Sequence, residues 1–284
     1  MARPLVALAT SAEWPELDDD GRLLVAALDH LGVDAGPARW DDESADWARY
    51  DLVVVRCTFD YVDRRGDFLA WTASVPRLAN PGPVLRWNTD KRYLADLAAA
   101  GVPVVPTTWL EPGQAVAVPA GGCVVKPAVG LGSRDAARHP PGDEAAALDH
   151  VRRLHEAGQV AMVQPYLAGV DAVGETDLVF LGGVYSHAMR KAASLTDGVA
   201  PPGLPAVEPR RATPAEVELA VRALGAVPGN PPLLYGRVDV VPGADGHPVV
   251  LEVELTEPWL ALAYEDGSAD RFAAAITRWA GGLR

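Results

Sequence analysis

The first 84 residues alternate short apolar segments with amphipathic ones, and this alternation constrains the fold more than any other feature of the chain. The spacing predicts strands at residues 5–9 and 51–55, and helices at residues 21–31 and 67–74. Strands that alternate with helices pair in parallel, and the helices then cover both faces of the sheet. This segment therefore predicts a doubly wound α/β domain.

The rest of the chain predicts a mixed α+β arrangement. Residues 243–246 suit a hairpin turn between the last two strands, and Thr213 with Pro214 suits the start of a helix ending at Leu224. Residues 192–211 contain four prolines and two glycines, which predicts a long loop that is functional or disordered. The other predicted helices are 90–100 and 145–157, and the other predicted strands are 116–118, 123–126, 161–164, 177–181, 184–191, 233–241 and 249–255.

Composition limits the classes of partner. The net charge is −13 and the sequence pI is near 4.8, so we expect no general attraction to nucleic acid or to a membrane surface. Cys57 and Cys123 lie in apolar runs, which indicates packing residues in a reducing compartment. No apolar run approaches the roughly 18 residues of a membrane span, and residues 1–10 are typical of a first strand rather than a signal peptide. We therefore expect a cytoplasmic protein.

The strongest chemical signal is an acidic strand pair near the C-terminus. Arg237 and Asp239 alternate on one predicted strand, and Glu252 and Glu254 alternate on the next. Because strand side chains alternate between the two faces, these four residues share one face of the sheet. With a turn centred on residues 244–245, we expect position 237 opposite 252 and Asp239 diagonal to Glu252.

The opposite face of this strand pair is apolar, at positions 238, 240, 251, 253 and 255, and is expected to pack on the core. Three carboxylates in one patch repel one another unless a cation lies between them. Mg²⁺ prefers carboxylate oxygens and completes its shell with substrate phosphates, so the predicted ion is Mg²⁺, with Mn²⁺ as an alternative. A solvated outer face is the competing interpretation, and a one-residue slip of register would break the pairing.

A second signal is a lysine at the end of an apolar strand. Lys126 precedes a small glycine-containing loop at 130–133, and such loops present an ammonium and backbone N–H groups to phosphates. Lys91 lies at a predicted helix start, and the extended segment 162–167 is suited to hydrogen-bond an adenine edge. Taken singly, these features are equally typical of a surface lysine, a helix cap and a domain connection.

In this order along the chain, the two lysines, the loop, the extended segment and the acidic hairpin resemble the ATP-grasp superfamily. That superfamily includes D-alanine–D-alanine ligase, glutathione synthetase and the ribosomal-protein glutamate ligases, and the resemblance covers roughly residues 85–260. It implies an ATP-grasp fold with an N-terminal Rossmann-like pre-ATP-grasp domain. The implied divisions are 1–84 on the substrate side, 85–165 for the central lid subdomain and 166–284 for the C-terminal subdomain with the metal-binding hairpin.

The resemblance also implies a role for each matching residue. Lys91 and Lys126 contact ATP phosphates, and Arg237 stabilises the oxyanion of the tetrahedral intermediate, so Arg237 and Lys126 are the expected catalytic residues. Arg190 and Lys191 point to opposite faces of their strand, and one of them meets phosphate or substrate. The other implied ligands are Gly130, Gly132 and Ser133 for the phosphates, Gln164, Tyr166 and Leu167 for adenine, Glu175 for ribose, and Asp239, Glu252 and Glu254 for the metal. Glutamate 254 stands where the superfamily usually has asparagine, which leaves the geometry of a second metal open.

The end of the second predicted strand carries Arg56, Thr58 and Asp60. Ligands of open parallel sheets bind at such strand ends, and the three side chains share one side if the strand continues to Asp60. A guanidinium and a carboxylate suit a zwitterion, so the predicted substrate is a small amino-acid-like molecule, with the 192–211 loop closing over it. An arginine paired with a structural acid is an equally supported alternative.

Residues 55–61, 86–91 and 255–258 are similar to an ATP-grasp subgroup that includes the cyclo-ligase converting O-ureido-D-serine to D-cycloserine. The implied reaction is ATP-dependent carboxylate–amine ligation through an acyl phosphate, within one molecule or between two. A non-catalytic ATP-binding sensor is the alternative, which the retention of Arg237 and three carboxylates argues against. A dinucleotide-dependent oxidoreductase is disfavoured because residues 10–15 lack the glycine fingerprint. The sequence leaves the oligomeric state open, a homodimer included.

Overall fold

The fold is taken from a computed structural model, which describes residues 2–193, 198–199 and 206–282. Residues 194–197 and 200–205 of the predicted 192–211 loop lie outside the described residues, and so does the predicted closure of that loop. Within the described ranges, no helix is both long enough and apolar enough to cross a membrane.

In the part of the chain that the structure describes, fourteen strands form three sheets. In chain order, β1 to β7 are Leu5–Thr10, Asp34–Arg39, Leu52–Cys57, Leu78–Ala79, Thr108–Leu110, Cys123–Pro127 and Ala137–His139. Strands β8 to β14 are Ala161–Pro165, Glu175–Leu181, Val184–Lys191, Gly198–Val199, Val207–Arg210, Tyr235–Pro242 and Pro248–Glu254. The described residues that were predicted as a loop at 192–211 thus include the two short strands β11 and β12.

Eight α-helices accompany the sheets in the described residues. In chain order, α1 to α8 are Asp19–His30, Arg65–Ser74, Gly82–Asn88, Tyr93–Ala99, Glu144–Glu156, Gly169–Val173, Pro214–Gly225 and Ser268–Ala280, with 3₁₀ turns at Trp47–Arg49, Phe59–Asp63 and Leu262–Tyr264. Helix α7 begins as predicted, because Thr213 and Glu216 form a capping box and Pro214 occupies the first turn.

The first sheet is parallel, in the order β2-β1-β3-β4. Helix α2 packs on one face of it, through Phe68 and Trp71. Helices α1 and α8 pack on the other face, where Leu24, Phe272 and Ile276 share a core with the strands. The predicted α/β class is confirmed, and the last helix of the chain completes a layer of the first domain. The division of the chain at residues 84 and 165 stays a prediction.

The other two sheets are antiparallel and contain five strands each. Their orders are β12-β10-β9-β13-β14 for the second sheet and β11-β7-β6-β8-β5 for the third. Strand β14 is an edge strand, and a segment that precedes the third sheet covers its free edge. The Val105 N–H donates to the Val250 carbonyl and the Val250 N–H donates to the Pro103 carbonyl, both at 2.9 Å. The second sheet is thereby tied to the chain that carries Lys91.

One predicted element is wrong, and another is shorter than predicted. Residues 116–118 form no strand, because β6 already pairs with β7 and β8 on its two edges and β5 occupies the free edge of β8. The predicted helix over 90–100 is shorter and has a separate helix, α3, before it. The Asn88 side-chain amide, at the end of α3, hydrogen-bonds to the backbone of Val253 and Leu255.

The register of the acidic hairpin differs from the predicted one by two residues. Arg237 lies opposite Glu254 and Asp239 lies opposite Glu252. The turn is centred one half-residue later than predicted, and a β-bulge follows Asp239. The later turn shifts the pairing by one residue, and the bulge shifts it by one more. A shift of two residues keeps each side chain on its original face, so the four charged residues still share one face. The bulge instead removes Leu251 from the apolar face, where Val250 replaces it.

Candidate active site

A cleft of about 860 Å³ lies between the second and third sheets, within the size range of ligand pockets. Its floor and walls come from strands β6, β8, β9, β10, β13 and β14, and aromatic residues that follow β1 and β3 also line it. Six carboxylates and four cationic side chains are among the lining residues: Glu175, Asp177, Asp239, Glu252, Glu254 and Glu257, with Lys91, Lys126, Lys191 and Arg237. Positive and negative groups are thus concentrated in one partly buried space.

Lys91 links three parts of the cleft. Its backbone N–H donates to the Ala128 carbonyl at 2.8 Å, its ammonium donates to the Gly130 carbonyl, and the ammonium lies 2.8 Å from Glu252 Oε1. Burial opposes the charge of Lys91, but the Glu252 carboxylate outweighs burial and raises the pKa of the lysine. Lys91 therefore joins the glycine loop to the acidic hairpin.

Lys126 is half-buried, and its ammonium forms no salt bridge with any described residue. Burial lowers its pKa, and the positive charges of Lys91 and Lys191 lower it further, while Glu252 acts in the opposite direction. An ammonium in this state gains most from an anion that enters the cleft, because the anion compensates both burial and repulsion. The predicted position of Lys126 beside a phosphate fits this electrostatic setting.

The three lysines share a property that the sequence analysis missed. The whole sequence contains only three lysines, and every other permanently cationic side chain is an arginine. All three lysines line the cleft. A chain that uses arginine elsewhere retains lysine where a compact ammonium with three donors is needed. The scarcity of lysine could therefore have indicated, from the sequence alone, that Lys191 rather than Arg190 is the site residue.

Lys191, rather than Arg190, faces the site. Its ammonium pairs with Glu175 and lies 3.7 Å from Asp177 Oδ2. Arg190 turns to the other side of β10, where it donates to the Val173 carbonyl and pairs with Glu208 at 2.9 Å. The strand alternation predicted that one of the two would reach the site, and the structure selects Lys191.

Arg237 is the centre of a buried charge network. It forms a two-pronged pair with Asp239, with contacts of 2.7 and 2.8 Å, and a further contact of 2.7 Å with Glu254 Oε1. Its Nη1 also donates to the Trp259 carbonyl at 3.0 Å. Burial opposes the charge of Arg237, but Asp239 and Glu254 outweigh burial and raise its pKa. The guanidinium is therefore held rigidly in the cleft wall.

Asp177 belongs to the site and was missed by the sequence analysis. It lies directly opposite Asp239 on the neighbouring strand, and ligand atoms of Glu175, Asp177 and Asp239 lie within 4.8 Å of one another. Among the described residues, Asp177 Oδ1 is buried and has no hydrogen-bond partner. Two acids alternating on an otherwise apolar strand were the available signal. Oxygen donors at this spacing suit a divalent cation.

Burial raises the pKa values of two further carboxyls. Burial, with the charges of Asp239 and Glu252, raises the pKa of Glu254 to about 7 against the effect of Arg237. Burial and the charge of Glu254 raise the pKa of Glu257 to about 8. Glu252 behaves oppositely, because Lys91 and Lys126 outweigh burial and lower its pKa. Of these three carboxyls, Glu252, which pairs with Lys91, is thus the readily ionised one.

The glycine-containing loop forms one wall of the cleft, to which Gly130, Gly132 and Ser133 all contribute. Gly132 and Ser133 have left-handed backbone conformations, with φ of 59° and 58°. Serine adopts this region uncommonly, so the loop holds a constrained turn. Arg134 anchors it to Asp63 at 2.9 Å.

The extended segment lies along β8 and just after it, where Gln164, Tyr166 and Leu167 line the cleft. The Gln164 amide is buried and donates to Thr107 Oγ1 at 2.9 Å. The Arg138 guanidinium lies 3.6 Å from the centre of the Tyr166 ring. These three residues, which the resemblance implied as adenine ligands, therefore lie together in one wall of the cleft.

The predicted substrate residues do not share one side. Strand β3 ends at Cys57 and the chain turns into a 3₁₀ helix at Phe59–Asp63, which rotates Asp60 away. Its carboxylate accepts from Trp40 Nε1 at 2.9 Å and pairs with Arg64. Arg56 and Thr58 remain at the strand end, fully buried. The expectation of a shared face is therefore wrong for Asp60.

A parallel α/β domain followed by two antiparallel sheets that enclose a lysine- and carboxylate-lined cleft defines an ATP-grasp ligase. D-alanine–D-alanine ligase from Bacillus anthracis has the same fold, with a TM-score of 0.68 at 16% identity, covering 99% of this chain and 98% of that one. Residues 6–80 match the model of the N-terminal domain of D-cycloserine synthetase DcsG. The cycloserine biosynthesis protein DcsG of Streptomyces lavendulae is 42% identical, over 96% of this chain and 97% of that protein. The chain belongs to the DcsG family.

Solved structures agree with this assignment. The crystal structure of D-cycloserine synthetase DcsG matches with a TM-score of 0.88 at 39% identity, covering 99% of this chain and 100% of that one. An ATP-grasp protein with a RimK domain from Sphaerobacter thermophilus matches with a TM-score of 0.68 at 19% identity, over 98% and 100% of the chains. The chain is thus an ATP-dependent enzyme that forms C–N bonds, and the sensor and oxidoreductase alternatives are set aside.

Proposed function

We propose that this enzyme binds ATP with Mg²⁺ in the cleft and closes the ring of D-cycloserine from O-ureido-D-serine. One observation carries the proposal: three lysines and Arg237 line the same cleft as six carboxylates. Ammonium groups suit phosphate oxygens, and clustered carboxylates suit a divalent cation. The 42% identity to a cycloserine biosynthesis protein supports the choice of substrate.

The nucleotide is assigned to the wall between the second and third sheets. Backbone near Gln164, Tyr166 and Leu167 receives adenine, which is supported by their common position in the cleft. Lys91, Lys126 and the 130–133 loop receive the phosphates. The lowered pKa of the half-buried Lys126 supports an anion at that position. Glu175 is proposed as the ribose ligand, although its place beside Asp177 and Asp239 also suits a metal shell.

The metal is assigned to Asp239, Glu252 and Glu254, with Asp177 as an additional ligand. The unpartnered Oδ1 of Asp177 and the grouping of carboxylates around Asp239 support the fit. A divalent ion, Mg²⁺ or Mn²⁺, would supply charge neutralisation of the phosphates there. Glutamate at position 254 adds a negative charge to this set, and Arg237 balances it at 2.7 Å.

The chain's own residues would then promote acyl transfer in two stages. Lys126 and Lys91 offset phosphate charge as the substrate carboxylate attacks the γ-phosphate of ATP. Arg237 lies in the same cleft wall and would stabilise the oxyanion that forms when the ureido nitrogen attacks the acyl phosphate and expels phosphate. Water then cleaves the bond between this nitrogen and its carbamoyl group, which leaves as carbon dioxide and ammonia and gives D-cycloserine. The fixed pairing of Arg237 with Asp239 supports its role, because a donor held in place requires no reorganisation during the reaction.

Substrate contacts are proposed at the end of β3. Nε and Nη1 of Arg56 and Oγ1 of Thr58 are buried without hydrogen-bond partners among the described residues. Buried polar atoms of this kind cost about 1–3 kcal/mol each unless they are paired, which supports a ligand close to them. Asp60 is left out of the proposal because Trp40 and Arg64 occupy its carboxylate.

The experiment is a coupled assay of ADP release with O-ureido-D-serine, together with mass spectrometry of the product. We expect ADP release that depends on substrate and on Mg²⁺, and formation of D-cycloserine. ADP release with other amino acids but not with O-ureido-D-serine would refute the substrate while keeping the reaction class. No nucleotide turnover with any carboxylate would refute the assignment of the cleft.

The proposal also includes a cytoplasmic location and a homodimer. The location is supported by two buried free cysteines, Cys57 and Cys123, which fit a reducing compartment. Sedimentation equilibrium of the purified enzyme tests the dimer, and a monomer mass over the working concentration range would refute it.

A further inference from the structure

The segment that follows the last strand, residues 256–259, is anchored from several sides. The Tyr235 hydroxyl donates to the Thr256 carbonyl at 2.8 Å. Arg56 Nη2 donates to the Pro258 carbonyl at 2.9 Å, and Arg237 Nη1 donates to the Trp259 carbonyl. These anchors flank Glu257 on both sides, so a rigid backbone presents its carboxyl to the cleft.

The Glu257 carboxyl has an acceptor that no described residue uses. It lines the cleft and shares a side-chain hydrogen bond with Tyr61, but its Oε2 atom is buried without a hydrogen-bond partner. No described residue forms a salt bridge with it. The nearby negative charges of Glu252 and Glu254 repel its ionised form. The carboxyl keeps its proton while the cleft is empty, and a cationic donor that binds at Oε2 would stabilise its ionised form.

The cations of the cleft have other partners. Lys91 pairs with Glu252, Lys191 pairs with Glu175, and Arg237 pairs with Asp239 and Glu254. Lys126 has Glu252 and Glu175 as its negative neighbours. Lys91 also acts on Glu257 at a distance, but its ammonium is paired with Glu252, so a bound ligand is the further source of positive charge for Glu257.

We propose that Glu257 binds the α-ammonium group of the amino-acid substrate, with Oε2 as the acceptor and Tyr61 orienting the carboxyl. This inference rests on the proposed function, and it adds a specificity residue. The substrate is held by the amine that does not react, while its carboxylate turns to the lysines and the phosphates. Arg56 acts as a positioning residue, because its bond to the Pro258 carbonyl fixes the backbone beside Glu257.

The test compares wild type, Glu257→Gln and Glu218→Gln in the ADP-release assay. Gln keeps the shape of the side chain and removes its charge, and Glu218 lies exposed on α7, so Glu218→Gln is the matched control. We expect Glu257→Gln to raise KM for O-ureido-D-serine by ~10- to 100-fold, the usual loss for one charge-assisted bond, with KM for ATP unchanged. Glu218→Gln should match wild type.

A second substrate makes the test specific for the amine. An analogue with hydrogen in place of the α-amino group should be poor for wild type, and Glu257→Gln should not weaken it further. Tyr61→Phe should raise KM for the amine less than Glu257→Gln does. Circular dichroism and the melting temperature establish that each variant is folded.

The two proposals fail differently. Wild-type turnover of O-ureido-D-serine with an unchanged KM in folded Glu257→Gln overturns the role of Glu257 and leaves the proposed function intact. Equal losses for the substrate and for the analogue lacking the amine also overturn it. Absence of wild-type turnover overturns the proposed function, and the inference with it.

Discussion

Asn88→Ala should destabilise the protein by an amount that the structure allows us to work out. The Asn88 amide donates to the Val253 carbonyl and accepts from the Leu255 N–H, both at 2.7 Å and both buried. Removal of the Asn88 amide leaves the Leu255 N–H without this hydrogen-bond partner. It also removes one hydrogen-bond donor from the Val253 carbonyl. We expect a loss of about 2–4 kcal/mol in the free energy of unfolding, which lowers the melting temperature by roughly 5 to 10 °C.

The same change should reach the active site. Glu252 and Glu254 flank Val253, so a looser edge of β14 shifts both carboxylates relative to Lys91. We expect kcat/KM to fall by ~10- to 100-fold, the size of loss that small displacements of catalytic groups cause. Differential scanning calorimetry and the ADP-release assay measure the two effects on one preparation.

Two further variants test whether the loss of stability follows the number of buried hydrogen bonds removed. Tyr93→Phe removes a single bond, from the Val253 N–H to the tyrosine hydroxyl at 2.8 Å, and should cost less than Asn88→Ala. Gln114→Ala is the control, because that exposed amide accepts one N–H, from Glu111 at 3.1 Å, which water can replace. A melting temperature of Asn88→Ala within one degree of Gln114→Ala would refute the reasoning.

Three other predictions concern charge in the cleft. Lys126→Ala should weaken ATP binding strongly, because the Lys126 ammonium is unpaired in the described structure. Isothermal titration calorimetry measures the Kd, and an unchanged value would make Lys126 a structural residue. Bound Mg·ATP should protect all three lysines from an amine-acylating reagent. Peptide mass spectrometry measures the acylation, with the N-terminal amine as internal control, and equal acylation with and without nucleotide would contradict the assignment of the site. The pKa of Glu257 is raised from 4.5 to about 8, so between these values the folded protein retains a proton that the unfolded chain releases, and its stability falls as pH rises. The melting temperature of Glu257→Gln relative to wild type should therefore increase from about pH 5 to about pH 8, and a constant difference would contradict the raised pKa.

The acidic hairpin shows what sequence periodicity determines and what it does not. Side-chain alternation was sufficient to place Arg237, Asp239, Glu252 and Glu254 on one face. The bulge after Asp239 was not predictable, because it depends on partners outside the hairpin: β9 on one side and residues 103–105 on the other. A bulge changes which residues face each other without changing the local composition.

Candidate site residues from separate elements could be predicted where an ordered motif existed and could not where it did not. Lys91, Lys126 and the 130–133 loop could be recognised by their order along the chain. Asp177 and Glu257 became visible when the fold brought their carboxyls beside other charges and left one oxygen of each unpaired. For Glu257 this tertiary burial is the only signal, whereas for Asp177 the sequence also shows the alternation with Glu175 on β9.

The end of β3 shows the limit of extending a pattern beyond its element. Arg56 and Thr58 lie where the strand predicted, but Asp60 lies beyond the point where the chain leaves strand geometry. Alternation holds only while the backbone stays extended. The Trp40 indole, supplied by a segment remote in sequence, then determines the orientation of Asp60.

Carboxylate activation can be followed with an oxygen label. O-ureido-D-serine carrying ¹⁸O in its carboxylate is turned over with Mg·ATP, and the inorganic phosphate is analysed by mass spectrometry. Attack of the carboxylate on the γ-phosphate, followed by displacement by nitrogen, transfers one labelled oxygen to phosphate for each ADP formed. Phosphate that carries no label while ADP accumulates would show that ATP is hydrolysed by water, and would contradict ligation through an acyl phosphate in this cleft.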